Sequence, residues 1–277
     1  MTPAELVSHW PLLAGVLLAG LAAGFAGGLF GIGGGVVTVP ALYAAFRSIG
    51  VNDDASLKTA IGTSLAVIVV SSIRSMITHR RTGHVDGRIL RAWGPWIAAG
   101  SLAGGLLARH VPAVALTAVF AAGALFIGWR RLSPRRRLSG KPPPDLTQKG
   151  VHIPIGIGTG FFSSLMGLGG GAIGVMVMMW SGRSMHQAIA TASGFGIAVA
   201  VPGSLAFVAS GLGHHDLPPL SFGFVNMPAF AVMAAMTALT AHAGAVLAHQ
   251  MKGEMLSRIF GAYVLLSALA LITDTLT

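Results

Sequence analysis

The sequence has no cysteine and very little charge: 8 acidic and 18 basic residues in 277 positions, so charged side chains make up 9% of the chain. Without cysteine there is no disulfide, no thiolate nucleophile and no thiolate metal site. A soluble domain of this length carries about 25% charged residues, so a water-soluble globular fold is excluded. Acids are scarcest of all. Glu5, Asp53, Asp54, Asp86, Asp145, Asp216, Glu254 and Asp274 fall in polar stretches or at the ends of apolar ones. A carboxylate-based Na⁺ site, or a proton relay through a buried acid, would need such a group within a span.

What the chain does have is apolar length. Hydrophobic residues make up 53%, and the mean hydropathy is +0.75. The apolar runs are helix-length and rich in Gly and Ala rather than alternating over about ten residues, which predicts an all-α, polytopic transmembrane bundle and not a β-barrel. The formal charge of +10 then reads as topology, not as nucleic-acid binding. No Lys or Arg precedes Arg47, so the first twenty residues lack the basic start of a cleavable signal peptide and are read as mature chain.

One five-residue stretch occurs twice. Gly31-Ile32-Gly33-Gly34-Gly35 and Gly167-Leu168-Gly169-Gly170-Gly171 each follow an apolar run, 136 positions apart. Four glycines in five residues free the backbone to adopt φ > 0, so a helix is expected to break there and another to begin at once, at Val36 and at Ala172. Each cluster should therefore sit at a helix N-terminus, where unpaired N–H groups and the helix dipole favour an anion. The GxGxxG formed by Gly169, Gly171 and Gly174 carries no dinucleotide reading, because no βαβ unit surrounds it.

Further blocks recur in order. Ala60-Ile61-Gly62-Thr63 returns as Ala188-Ile189-Ala190-Thr191 at an offset of 128, and Ala103-Gly104 with Phe120 returns as Ala243-Gly244 with Phe260 at 140. This divides the chain into a first transmembrane repeat at 1–132, a basic cytoplasmic linker at 133–150 and a second repeat at 151–277. The positive-inside count supplies orientation. It favours an arrangement with 15 of the 18 basic residues inside, the loops at 80–91, 183 and 252–258 on that face, and both termini outside. The halves are then antiparallel, an inverted-topology repeat of the kind transporters use. The segments flanking the second break, Ile153–Met166 and Ala172–Ser181, each have about half a membrane's length at ~1.5 Å per residue. They predict glycine-tipped re-entrant hairpins.

The candidate binding shell comprises the N–H groups of Gly33, Gly34, Gly35, Gly169, Gly170 and Gly171, with hydroxyls from Thr63, Ser64 and Thr191. Lys58 and His186 occupy equivalent positions and are the candidate pathway cations. His242, in the expected span Met227–Ala248 with His249 seven residues on along the same face, is the candidate for proton coupling. The competing readings are structural: close packing for isolated glycines, a snorkelling Lys58, back-bonded threonines, and a neutral His242 bonded between helices.

On Gly24-Phe25, the first glycine cluster with Val39-Pro40, the echo from Gly160-Phe161 through Gly171, Ala60-Ile61-Gly62-Thr63-Ser64 and the basic linker, the sequence resembles the TauE/SafE family of sulfite/organosulfonate exporter-like permeases. The resemblance spans nearly the whole chain. It implies transport of a small anion such as sulfite or an organosulfonate across the bacterial cytoplasmic (inner) membrane, outward in most assigned cases. The expected partners are that anion and the lipid bilayer, with no nucleic acid and no cofactor or metal; a homo-oligomer is left open. Met176 stands where the first half has Pro40, and Ala192-Ser193 blurs the Thr-Ser pair. The expected function is a secondary transporter working by alternating access, not an enzyme. The rivals are a passive anion channel and an intramembrane hydrolase using Ser163 or Ser164 with His242, which lacks a GxSxG pattern.

Overall fold

The computed structural model describes residues 10–81, 83–132, 146 and 148–276. These form ten α-helices: α1 Trp10–Phe30, α2 Gly35–Ser48, α3 Asp53–Arg81, α4 Gly87–Leu107, α5 Ala113–Leu132, α6 Lys149–Leu165, α7 Gly171–Trp180, α8 Met185–Gly211, α9 Met227–Gln250 and α10 Gly253–Leu276. A two-residue antiparallel ribbon, β1 Ser221–Phe222 and β2 Val225–Asn226, precedes α9. Five helices among the described residues are long and apolar enough to cross a membrane, and the chain is a multi-pass membrane protein. Most of the basic linker expected at 133–150 lies outside the described residues.

Both expected helix breaks occur where the glycines stand. Gly31, Gly33 and Gly34 take φ of 67°, 78° and 82°, and Gly167 and Gly170 take 65° and 67°, conformations that cost an L-residue roughly 1–2 kcal/mol each. Gly34 is the N-cap of α2 and Gly170 that of α7, neither with a side-chain cap. The polar stretch from Arg47 to Lys58 is a loop only in part, because a helix begins inside it. Asn52 accepts from Ala55 N at 2.8 Å and starts α3 at Asp53, while Lys58 pairs with Asp54 one turn back at 2.7 Å, so the polar residues sit within the helix.

Small residues set the helix pairs. A methyl group on Gly20 would strike Met233 and Met236, one on Gly24 Thr237, and one on Gly244 the carbonyl of Phe25, so α1 and α9 run parallel with their backbones close together. A methyl on Gly156 would strike Trp96 and lie 3.5 Å from Trp93 O, one on Gly160 the carbonyl of Ile97, and one on Gly104 the carbonyl of Phe161, which makes α6 and α4 a second parallel pair. The buried pair α3 and α8 runs antiparallel through the middle: Gly62 faces Phe207, Gly203 faces Leu65 and Gly196 faces Ser72. With no water between helices to drive association, such close backbone approach is what holds a membrane bundle together.

Candidate functional site

The two glycine clusters touch each other. A Cβ on Gly35 would run into the carbonyl of Gly167, and one on Gly171 into the carbonyl of Gly31; one on Gly169 would lie 2.6 Å from the carbonyl oxygen of Ile32. Ile68 of α3, fully buried, fills the remaining side, lying against Gly33, Gly35 and Gly169. Only glycine fits this crossing of two backbones. α2 leaves it antiparallel to α3, and α7 leaves it antiparallel to α8, so each break reverses the chain.

The N-termini of α2 and α7 thus lie against one another. Among the described residues no hydrogen-bond acceptor meets the N–H groups of Gly33, Gly34, Gly35 and Val36, or of Gly169, Gly171 and Ala172. Gly170 differs from the sequence reading, since its N–H turns inward to Leu168 O at 2.9 Å. All six candidate glycines are buried. A buried unpaired N–H costs on the order of 1–3 kcal/mol, so any acceptor brought against these donors would be bound favourably.

Hydroxyls surround the crossing. Ser64 donates to Gly167 O at 3.0 Å, so its hydroxyl lies at the crossing. Ser71 donates to Gly33 O at 2.9 Å. The buried hydroxyl of Ser72, beside Gly196 and near Gly169 O, has no partner, and that of Ser164, near Ser101 and Gly203, has none either. The sequence reading missed Ser71 and Ser72. Their signal was a polar pair directly after the apolar run from Leu65 to Val70, with Ile73 beyond it.

The remaining candidates stand elsewhere. Thr63 accepts from Asn226 N at 2.9 Å, and Thr191 accepts from Asp86 N at 2.9 Å. Lys58, with 5% of its side chain exposed, bonds to Asp54 and to Arg109 O at 3.2 Å. His186 faces Met251 O at 3.2 Å. Lys58 and His186 do lie at opposite ends of the α3–α8 pair, but each is engaged by protein groups. His242 is exposed, with Nδ1 3.1 Å from Thr78 Oγ1, so its contact in this structure is with α3 and not with Ser163 or Ser164.

The loops that the charge count grouped on one side do meet at one end. Arg183 pairs with Asp86 at 3.5 Å, and His186 reaches the turn at Met251. Arg47, Lys58 and Arg109 collect near Asp53 and Asp54 at the other end.

Residues 16–271 match the family model described as Sulfite exporter TauE/SafE. The chain is 29% identical to a "Probable membrane transporter protein" of Haemophilus influenzae over 256 residues, covering 91% of this chain and 95% of that one. It is 25% identical to a similarly described protein of Methanocaldococcus jannaschii, covering 80% and 81%. A third such protein, from Bacillus subtilis, is 26% identical over 59% of this chain and 66% of its own length. No solved structure matches the chain.

Proposed function

The chain belongs to the sulfite exporter TauE/SafE family and is a membrane transporter, and we propose that its cargo is a small organosulfur or sulfite-type anion, carried outward across the cytoplasmic membrane by alternating access. The observation that carries this is the pair of abutting helix N-termini, α2 and α7, whose buried amides lack acceptors. Two such ends supply several N–H donors and two positive dipole ends to one point without a formal charge. An oxyanion with three or four acceptor oxygens suits that set. Ser64, Ser71 and Ser72 add hydroxyls from α3 on one flank.

The helix pairs support an inverted repeat. Under the offsets of 136 and 140, α1 corresponds to α6 and α4 to α9, so the pair α1–α9 maps onto α6–α4 with its glycine contacts in register. The antiparallel pair α3–α8 maps onto itself. An axis relating two antiparallel partners lies across them, in the membrane plane, as inverted-topology transporters require. In this reading α1–α2 and α6–α7 are re-entrant hairpins entering from opposite faces, and the glycine crossing is the closed point between two alternately opening vestibules. Binding then requires the hairpins to part, because the crossing admits no added methyl group.

A thermal-shift screen of the purified protein at constant ionic strength, with sulfite, ethanesulfonate, thiosulfate and acetate, tests the reading. Stabilisation by at least one sulfur oxyanion and not by acetate is expected, since a ligand at a hundred times its Kd adds about 2.7 kcal/mol to folding. Equal response to all four would overturn the cargo class. Unsaturable flux in liposomes would favour a passive channel instead.

A further inference from the structure

Four histidines that no part of the anion shell uses converge at one end of the molecule. His79 lies in the last turn of α3, His84 in the turn before α4, His186 in the first turn of α8 and His249 in the last turn of α9. Their ring centroids are 5.0 Å apart for His79–His249, 5.4 Å for His84–His249, 6.2 Å for His186–His249 and 6.4 Å for His84–His186. His79 is fully buried. Its Nδ1 lies 3.0 Å from His249 Nε2 and its Nε2 lies 3.3 Å from the carbonyl oxygen of Gly28 in α1.

These contacts fix the proton positions. A carbonyl can only accept, so His79 carries its proton on Nε2 and presents Nδ1 as an acceptor, and His249 donates from Nε2. One added proton can be absorbed: His79 becomes a double donor and His249 turns over to the tautomer with Nε2 bare. A second proton leaves two N–H groups facing each other at 3.0 Å. The surroundings do not favour that charge. Arg80 and Arg81 end α3, Lys252 follows α9, Arg183 before α8 is paired with Asp86, and Glu254 on α10 is paired with Arg258. His242, about two turns back along α9, faces Thr78. The elements joined are α1 and α3 of the first half with α8 and α9 of the second.

We propose that His79 and His249, with His84 and His186 packed against them, form a proton-binding site that latches α3, α8 and α9 together at this end, closed while the His79–His249 pair holds at most one added proton and opened when that pair takes a second. Unperturbed imidazole changes charge near pH 6.5, within reach of cellular pH. Resting on the transport reading for its last step, the latch would open the vestibule on this face and make protonation part of the cycle.

The cysteine-free sequence allows a direct test. Nitroxides on Arg81→Cys and Gln250→Cys, both exposed positions at the ends of α3 and α9, report the joint by dipolar broadening in the full-length protein in liposomes, with no anion added. Between about pH 8 and about pH 5.5 the broadening is expected to fall about two-fold, and to stay constant in a His249→Gln background. His84→Gln, in an exposed turn that leaves the His79–His249 contact intact, is expected to reduce the change and serves if His249→Gln does not fold. Broadening that ignores pH, or a pH response retained in both variants, would overturn the latch. Since no transported anion enters the measurement, a failure of the cargo assignment leaves this result standing and readable on its own.

Discussion

Thr63 accepts a hydrogen bond at 2.9 Å from the backbone N–H of Asn226, the residue that caps α9. Its repeat counterpart Thr191 accepts one at 2.9 Å from Asp86, the residue that caps α4. Asn226 and Asp86 are themselves 140 positions apart, the offset that relates α9 to α4. Each threonine thus holds the start of an equivalent helix, so the repetition of the block around Thr63 reflects a structural joint in this structure.

The joint predicts a paired loss. Thr63→Val and Thr191→Val each keep the shape and leave an N–H without its acceptor, buried at Asn226 and half-buried at Asp86, which costs about 1–3 kcal/mol at the first and toward the lower end of that range at the second. The unfolding temperature of both variants should fall, more for Thr63→Val than for Thr191→Val, with Thr63→Ser close to the parent. A large drop in anion affinity at unchanged stability would instead assign the threonines to the binding shell.

Lys58 shows why its role was not legible in the sequence. A lone lysine at the start of a span suggests a mouth that attracts anions, yet it is buried against Asp54 and Arg109 O, and Asp54 also accepts from Ala113 N at 3.1 Å. The group ties α3 to the start of α5. Lys58→Met should destabilise the protein by roughly 3–5 kcal/mol in the manner of a broken buried pair, or somewhat less because Asp54 is half-exposed. The salt dependence of anion flux in whatever folds should match the parent.

What could be read from the sequence was what backbone chemistry decides locally. Four glycines in five residues dictate a break, and breaks were found at Gly31–Gly35 and Gly167–Gly171 with new helices beginning at Gly35 and Gly171. Hydropathy alone does not mark where a helix ends: α3 begins at Asp53 because Asn52 caps it, and it runs on through polar residues to Arg81, which brings His79 into the bundle. The histidine cluster was out of reach, since positions 79, 84, 186 and 249 share no spacing and meet only through the packing of α3, α8 and α9.

The glycine crossing can be tested by adding one methyl group at a time. Gly35→Ala and Gly171→Ala drive Cβ into Gly167 O and Gly31 O, contacts that rigid backbone cannot relieve cheaply. Overpacking of this kind costs about 1–3 kcal/mol. Both variants should insert, unfold at lower temperature and lose anion flux. Gly50→Ala, which meets no neighbour but takes φ of 83°, should lose stability and keep flux. Flux surviving in Gly35→Ala would remove the crossing from the pathway.

The two halves differ at Ser64, and that difference separates a packing role from a binding one. Ser64 donates to Gly167 O in the second cluster, whereas the corresponding position in the second half is Ala192, so Gly31 O receives no matching hydroxyl. If the crossing is only a packed joint, Ser64→Ala removes one hydrogen bond, worth about 1 kcal/mol, and lowers the unfolding temperature by a few degrees. If Ser64 turns to the anion when the hairpins part, the same variant also loses about ten-fold in anion affinity, the equivalent of ~1.4 kcal/mol. The reciprocal variant Ala192→Ser supplies the missing donor on the other flank and should recover part of that affinity in the Ser64→Ala background. Anion titrations of the two single variants and the double, read by thermal shift against sulfite, give the coupling directly, and the binding role predicts that the double exceeds Ser64→Ala in affinity while its stability without anion stays below the parent.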